Sequence, residues 1–265
     1  MKQLEQILQE MLRIARLAGA KVKELRDKGA LTEDLKDGVE LVTNADLMSN
    51  DIIKHEVAKL FPAHVFLSEE DAVRSYTLDK PTWIIDPIDG TVNFANGHFM
   101  AAVSIAYAEN YEVRAAVVYN PFLDEMFYAS EDSGAFLNGR PIRVKDVSAL
   151  KSCLVATGFP YVKLKEDVRA LFGRMERLLP NIGDFRRLGS AALDICWVAC
   201  GRLQCYYEGH LNAWDVAAAR LIAKEAGASI GYFKEPTDEL PDTIRSENLI
   251  VSSPGVYEEL KSLLV

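Results

Sequence analysis

Several things are scarce in this 265-residue sequence, and each scarcity excludes something. No stretch approaches the 18 or more apolar residues of a membrane span; the most apolar, Ala101 to Ala108, is strand-sized and includes Ser104. Glycine (16) and proline (10) are too few for a collagen-like, low-complexity or disordered chain. The four cysteines, Cys153, Cys196, Cys200 and Cys205, contain no Cys-x-x-Cys pair. Cys196 and Cys200, at i and i+4, read as small buried residues of an Ala-rich helix in a reducing compartment, not as soft-metal ligands. Only four histidines occur (His55, His64, His98, His210), none paired at zinc spacing. Positive charge is also in deficit. Lys and Arg number 30 against 39 Asp and Glu, a net charge of −9, which argues against a general hold on nucleic acid or an anionic membrane. Met1-Lys2-Gln3-Leu4-Glu5 opens an amphipathic helix, not the apolar core of a signal peptide, so a cytoplasmic protein without a membrane partner is expected.

What is present is ordinary folded-protein composition, 49% hydrophobic and 26% charged, over a length suited to between one and two domains of roughly 150 residues. Leu4, Ile7, Leu8, Met11, Ala15, Ala18 and Val22 predict a long first helix fading near Gly29. A second helix is predicted from about Ala45 to Leu60, stopped by Pro62, with Leu41-Val42-Thr43 extended before it. The period then changes to two. Trp83–Asp86, Ala101–Ala108, Val113–Tyr119 and Met126–Ala129 read as strands, and Asn138-Gly139 as a type I′ hairpin turn, together an antiparallel sheet. Beyond about residue 146 strands and helices alternate: Leu154–Ala156, a helix near Lys165–Leu179, another near Ser190–Cys200, Cys205–Tyr207, a helix Val216–Ala226, Leu249–Val251 and a closing helix Val256–Leu264. With no linker or repeat, the chain is expected to fold as two α+β halves, 1–145 and 146–265, packed as one unit.

The chemistry concentrates where apolar strands end in acids. Trp83-Ile84-Ile85 delivers Asp86 and Asp89 around Pro87, which holds Asp86 extended, and Gly90 frees the backbone to turn or to approach a ligand. Val65-Phe66-Leu67 delivers Ser68-Glu69-Glu70, and Trp214-Asp215 opens an Ala-rich helix, where Asp215 could simply be the cap. Carboxylates from three segments could converge on a hard cation of the magnesium type.

These segments resemble the inositol monophosphatase family. Asp86-Pro-Ile-Asp-Gly-Thr-Val-Asn-Phe94 and Trp214-Asp-Val-Ala-Ala-Ala-Arg-Leu-Ile-Ala-Lys-Glu-Ala-Gly227 are similar to its two signature motifs. Leu41–Asp46, Ser68–Glu70, Gly134–Gly139 and Leu188–Asp194 follow in the expected order, so the resemblance spans essentially the whole chain. It implies an α+β fold, a layered α/β/α/β/α sandwich like that of fructose-1,6-bisphosphatase, with the metal site between the halves. It implies two to three Mg²⁺ ions, replaceable by Mn²⁺, on Glu69, Asp86, the Ile88 carbonyl, Asp89 and Asp215. Glu69, Asp46 and Thr91 would be catalytic, the last two orienting the attacking water.

Substrate contacts implied by the resemblance are Asp89, Gly90, Thr91, Gly189, Ser190, Ala191, Glu208 and Asp215. Arg186 and Arg187 could reach the ligand or a partner copy, and Lys36 aligns with a lysine-bearing loop near the phosphate. The expected reaction is hydrolysis of a small phosphorylated polyol or sugar: inositol 1-phosphate first, then fructose 1,6-bisphosphate, histidinol phosphate, NADP or 3′-phosphoadenosine 5′-phosphate. Lithium sensitivity and a homodimer are further family traits. A non-catalytic scaffold is the competing class, and it predicts the loss of a ligand; all are present. Ser68 and Ala228 stand where the family usually has glycine, Val92 where it often has threonine.

Overall fold

The computed structural model describes residues 2–36, 40–71, 78–159, 165–237 and 240–265. The chain runs α1 (Lys2–Asp27), β1 (Glu33–Lys36), β2 (Glu40–Thr43), α2 (Asn44–Leu60), β3 (Val65–Ser68), β4 (Thr82–Asp89), α3 (Thr91–Ala95), β5 (Ala102–Glu109) and β6 (Glu112–Asn120). It continues through β7 (Glu125–Ser130), β8 (Ala135–Leu137), β9 (Arg140–Ile142), β10 (Leu154–Thr157), α4 (Lys165–Leu178), β11 (Asp184–Arg186) and α5 (Ala191–Ala199). The last elements are β12 (Cys205–Glu208), α6 (Ala213–Glu225), β13 (Ser229–Tyr232), β14 (Leu249–Ser252) and α7 (Tyr257–Leu264).

Strands β3 to β9 form a seven-stranded sheet in sequence order, with β3 parallel to β4 and every later pair antiparallel. A five-stranded sheet is ordered β11-β10-β12-β14-β13. Because side chains alternate along a strand, each sheet sends alternate residues into different cores. Trp83, Ile85, Val103, Ile105 and Val117 face one way, onto Ile7, Met11 and Ile14 of α1 and Ile53 of α2. Ile84, Ala106, Ala116 and Val118 face the other way, onto α5 and α6, which also receive Tyr206 and Val251 from the second sheet. The opposite face of that sheet, Val155, Cys205, Tyr207 and Ile250, packs on Leu178, Leu260 and Leu264 of the outer helices. The result is the expected five-layer α/β/α/β/α sandwich.

Position in the sandwich explains composition. Helix α1 lies outside and is amphipathic; α5 and α6 lie between two sheets and are apolar nearly all round. Their alanines let both sheets approach closely.

Helix boundaries fall within a few residues of the sequence reading, and the β8–β9 hairpin turns on Asn138 (φ 48°) and Gly139 (φ 79°), as a type I′ turn requires. Three strands were not expected: β1, β11 and β13. Each is short; β11 and β13 are the edges of the five-stranded sheet and β1 lies in a two-stranded ribbon with β2, positions where polar residues are tolerated. Strand β4 also runs past Asp86 to Asp89, because the register shifts there and the bulge accommodates Pro87. Ala228 follows Gly227, which alone takes the left-handed turn (φ 86°), so the Gly-to-Ala departure is unstrained. Ser68 is buried and donates from Oγ to Asn50 Oδ1 at 2.8 Å. Asp37 and Gly38, beside Lys36, lie outside the described residues.

Candidate active site

The acid-bearing ends of β3, β4 and α6 meet in one narrow cavity of about 40 Å³. Glu69, Asp86, Ile88, Asp89, Gly90, Thr91, Glu208 and Asp215 line it, together with Phe159, His210, Leu211 and Asn212, which sequence reasoning did not single out. A larger groove of about 650 Å³ opens elsewhere, between the start of α1 and β5–β7; Glu5, Glu109, Glu131 and Asp132 line it, and there Arg114 pairs with Glu131 at 2.7 Å.

Local folding holds each acid. The bland Asx-turn reading of Asp86 is also correct: its Oδ1 accepts from the Ile88 N–H at 3.0 Å. Asp89 reaches the start of α5, where its Oδ2 accepts from Ser190 Oγ at 2.6 Å and the Ala192 N–H at 2.7 Å. Ser190 caps that helix, so Gly189, Ser190 and Ala191 stand behind Asp89, outside the cavity lining. Asp215 is not the cap of α6. Asn212 is, and Asp215 sits three residues in, accepting from the Asn212 N–H at 2.7 Å. Asp46 plays the same part in α2, in a capping box with Thr43.

Thr91 links the Asp86–Phe94 motif to Asp46 of α2. Its Oγ1 lies 3.0 Å from Asp46 Oδ1 and 3.0 Å from the Ile88 carbonyl oxygen; one hydroxyl hydrogen can serve only one of them at a time. Gly90 adopts φ 95°, and a Cβ there would fall 2.7 Å from the Met100 carbonyl, so only glycine fits. Lys36 pairs with Glu70, its Nζ 3.6 Å from Glu69 Oε1. Arg186 does not line the cavity; its Nη1 is turned to Asp184 at 2.6 Å. Arg187, its neighbour, is exposed and also outside the lining, but its charge acts on Glu208 and Asp89.

So many acids in one place resist ionisation. Burial, then the charges of Glu69, Asp89 and Asp215, drive the Asp86 carboxyl well above the usual carboxylate range. Asp215 is raised in the same way, by burial and then by Asp89, Glu69 and Glu208, against the opposing Asn212 N–H. Burial lifts Asp89 to about 6, moderated by Ser190 and the start of α5. Asp46 is likewise raised to about 6 by burial, despite the hydrogen bonds from Thr43 and Thr91. Burial carries Glu208 to about 7, opposed by the Tyr206 hydroxyl at 2.7 Å from Oε2 and by Arg187.

Among the described residues no three His, Cys, Asp or Glu side chains already stand in the arrangement of a bound ion. The hydrogen bonds above direct Asp86, Asp89 and Asp215 to donors within the protein. The donor set nevertheless fits a hard divalent ion, being all oxygen, anionic and gathered in one cavity.

Comparison with known proteins agrees with the sequence motifs and the layers. Residues 3–264 match the model of the inositol monophosphatase family, and the chain belongs to that family. It is 40% identical over 238 residues to inositol monophosphatase 3 of Solanum lycopersicum, covering 88% of this chain and 87% of the relative. It is 37% identical over 244 residues to the Nus factor SuhB of Vibrio cholerae, covering 92% and 90%. Among solved structures, the extragenic suppressor protein suhB of Bartonella henselae superposes with a TM-score of 0.88 at 33% identity, covering 98% of each chain. The Thermotoga maritima IMPase does so at 0.85 and 33%, covering 100% of this chain and 97% of that one.

Proposed function

We propose that the chain is a Mg²⁺-dependent phosphomonoesterase that hydrolyses inositol monophosphate to inositol and phosphate. The observation that carries this reading is the one cavity that Glu69, Asp86, Ile88, Asp89 and Asp215 line together, beside the Thr91–Asp46 pair. Those five groups would hold two to three divalent ions, Mg²⁺ or Mn²⁺. When bound, the ions supply positive charge that neutralises the acids, attracts the phosphate and acidifies a water molecule.

The chain's own groups do the rest. Asp46 accepts the Thr91 hydrogen, leaving the Thr91 oxygen lone pairs to accept from the attacking water and aim it at phosphorus. Glu69, at the end of β3, is placed to take up the proton that water gives up. Gly90 and Thr91 present backbone N–H groups towards the phosphate. Glu208 accepts hydrogen bonds from the alcohol portion. Asp215 and Asp89 close the wall on the leaving-oxygen side. Cytoplasmic location, lithium sensitivity, homodimerisation and the division at residue 145 belong to the same reading; light scattering tests the dimer.

Phosphate release from myo-inositol 1-phosphate, fructose 1,6-bisphosphate, histidinol phosphate, NADP and 3′-phosphoadenosine 5′-phosphate, with and without Mg²⁺, tests the proposal. Mg²⁺-dependent release led by the inositol ester is expected. A different winner corrects the substrate, and no release from any of them removes the hydrolytic reading.

The relatives named Nus factor SuhB favour a second reading, a role in transcription complexes. The charge of −9 points to protein partners for such a role and away from a direct hold on nucleic acid. Nucleic-acid binding in a gel-shift assay at physiological salt would reverse that preference.

A further inference from the structure

Beside the acid-lined cavity, two missing side chains make room for charged ones. A Cβ on Gly158 would fall 1.9 Å from Glu208 Oε1, and a Cβ on Gly189 would fall 2.3 Å from Arg187 Nη1. Each glycine therefore provides the slot in which a charged side chain lies against the main chain. Glu208 enters from β12; Arg187 enters from the segment between β11 and α5. The Arg187 guanidinium carbon rests 5.1 Å from the ring centroid of Phe159, itself a cavity-lining residue.

Arg187 is exposed and makes no hydrogen bond or ion pair among the described residues, although its charge acts on Glu208, Asp89 and Asp194. A guanidinium held over an aromatic ring, beside three acids, with its N–H donors unused, is prepared for a ligand. The donor types indicate which. A carboxylate only accepts and a guanidinium only donates, whereas each hydroxyl of a polyol does both. Glu208 and Arg187 together complement adjacent hydroxyls on a ring, and neither offers that complement alone. Inorganic phosphate, seated on the acid wall, would gain nothing from the pair.

We propose that Arg187 is a specificity-determining residue that donates to the ring hydroxyls of a polyol phosphate while Glu208 accepts from them. This rests on the phosphatase reading of the same site.

The test compares wild type, Arg187→Ala and Arg187→Lys. It reads KM and kcat for myo-inositol 1-phosphate, the inhibition constant of inorganic phosphate, and calorimetric binding of both compounds in Mg²⁺. In Arg187→Ala the KM should rise roughly tenfold or more, the loss of a charge-assisted donor, with the phosphate constant within about twofold. Arg187→Lys, a point charge without the fork, should fall between the two. An unchanged KM overturns the proposal. So does a parallel rise in KM and the phosphate constant, which would mean that Arg187 merely balances charge. If wild type binds myo-inositol 1-phosphate in an Arg187-dependent way without releasing phosphate, the hydrolytic reading fails and the recognition role stands. If wild type does neither, both fail.

Discussion

Two charged clusters in this chain, one around the buried Arg220 and one in the acid-lined cavity, differ in a way that separates structure from function. In one, Arg220 on α6 bonds to the Tyr232 hydroxyl at 2.9 Å and Asp242 Oδ2 at 3.1 Å, and Tyr232 also donates to Asp242 Oδ1 at 2.6 Å. Opposite charges and hydrogen bonds close that cluster on itself. In the other, Glu69, Asp86, Asp89 and Asp215 meet with like charge, and burial together with that repulsion suppresses the ionisation of the three aspartates. A self-neutralised cluster fastens α6 to β13. A cluster that resists its own charge is poised for a cation from solution.

The comparison can be broken by substitution, starting at the cavity. Asp89→Asn should lower Mg²⁺-dependent turnover by roughly a thousandfold, as the loss of a group that organises transition-state charge does. Its cation-free form should be no less stable, because one repelling charge is gone. Calorimetry with Mg²⁺ and a thermal melt check both halves. Thr91→Ala should cost turnover roughly a hundredfold, in the range for losing a group that positions a proton transfer. Steady-state kinetics with a circular dichroism spectrum like that of wild type would confirm it.

The neutralised cluster should respond oppositely. Arg220→Ala should destabilise the fold by about 2 kcal/mol, since a buried arginine with several bonds is lost. Mg²⁺ should not repair it, and turnover at a permissive temperature should stay near wild type. Denaturant unfolding with and without Mg²⁺ measures this. Rescue by Mg²⁺ would mean the two clusters are not independent.

The smallest effect is the dependence on pH. Glu208 is raised from the usual 4.5 to about 7 and Asp46 from 3.8 to about 6. Between those values the folded chain binds more protons than the unfolded one, so cation-free stability should fall as pH rises from about 5 to about 8. Mg²⁺ should flatten part of that slope by occupying Asp86, Asp89 and Asp215. Thermal melts across this range test the sign; a midpoint that rises with pH contradicts it.

What could be read from sequence follows from where the information is local. Asp86 and Asp89 stood out because an apolar strand has no packing reason to end in two acids around a proline. Most helices and strands were legible because period two and period 3.6 are written along each element, whereas their stacking into five layers came from the resemblance to the family. Which of Arg186 and Arg187 is held by the protein was not legible: they are chemically identical neighbours, and Arg186 turns to Asp184 on the same short strand. Asp215 reads as a cation ligand with the helix cap as the plainer alternative, because cap and third helix position lie within one turn; Asn212 takes the cap only once the helix start is known. Strand β11, three residues with an exposed Asp184, carries too little pattern to be seen without its neighbour β10.

The central claim is that the repelling acids are a cation site that drives hydrolysis. The most direct test is one Mg²⁺ titration followed by two readouts, the thermal midpoint and phosphate release from myo-inositol 1-phosphate. The account predicts that both rise together, over the same Mg²⁺ range, in wild type, and that neither rises in Asp89→Asn. Phosphate release that persists in chelator, or a midpoint that climbs with Mg²⁺ while no phosphate appears, would contradict it.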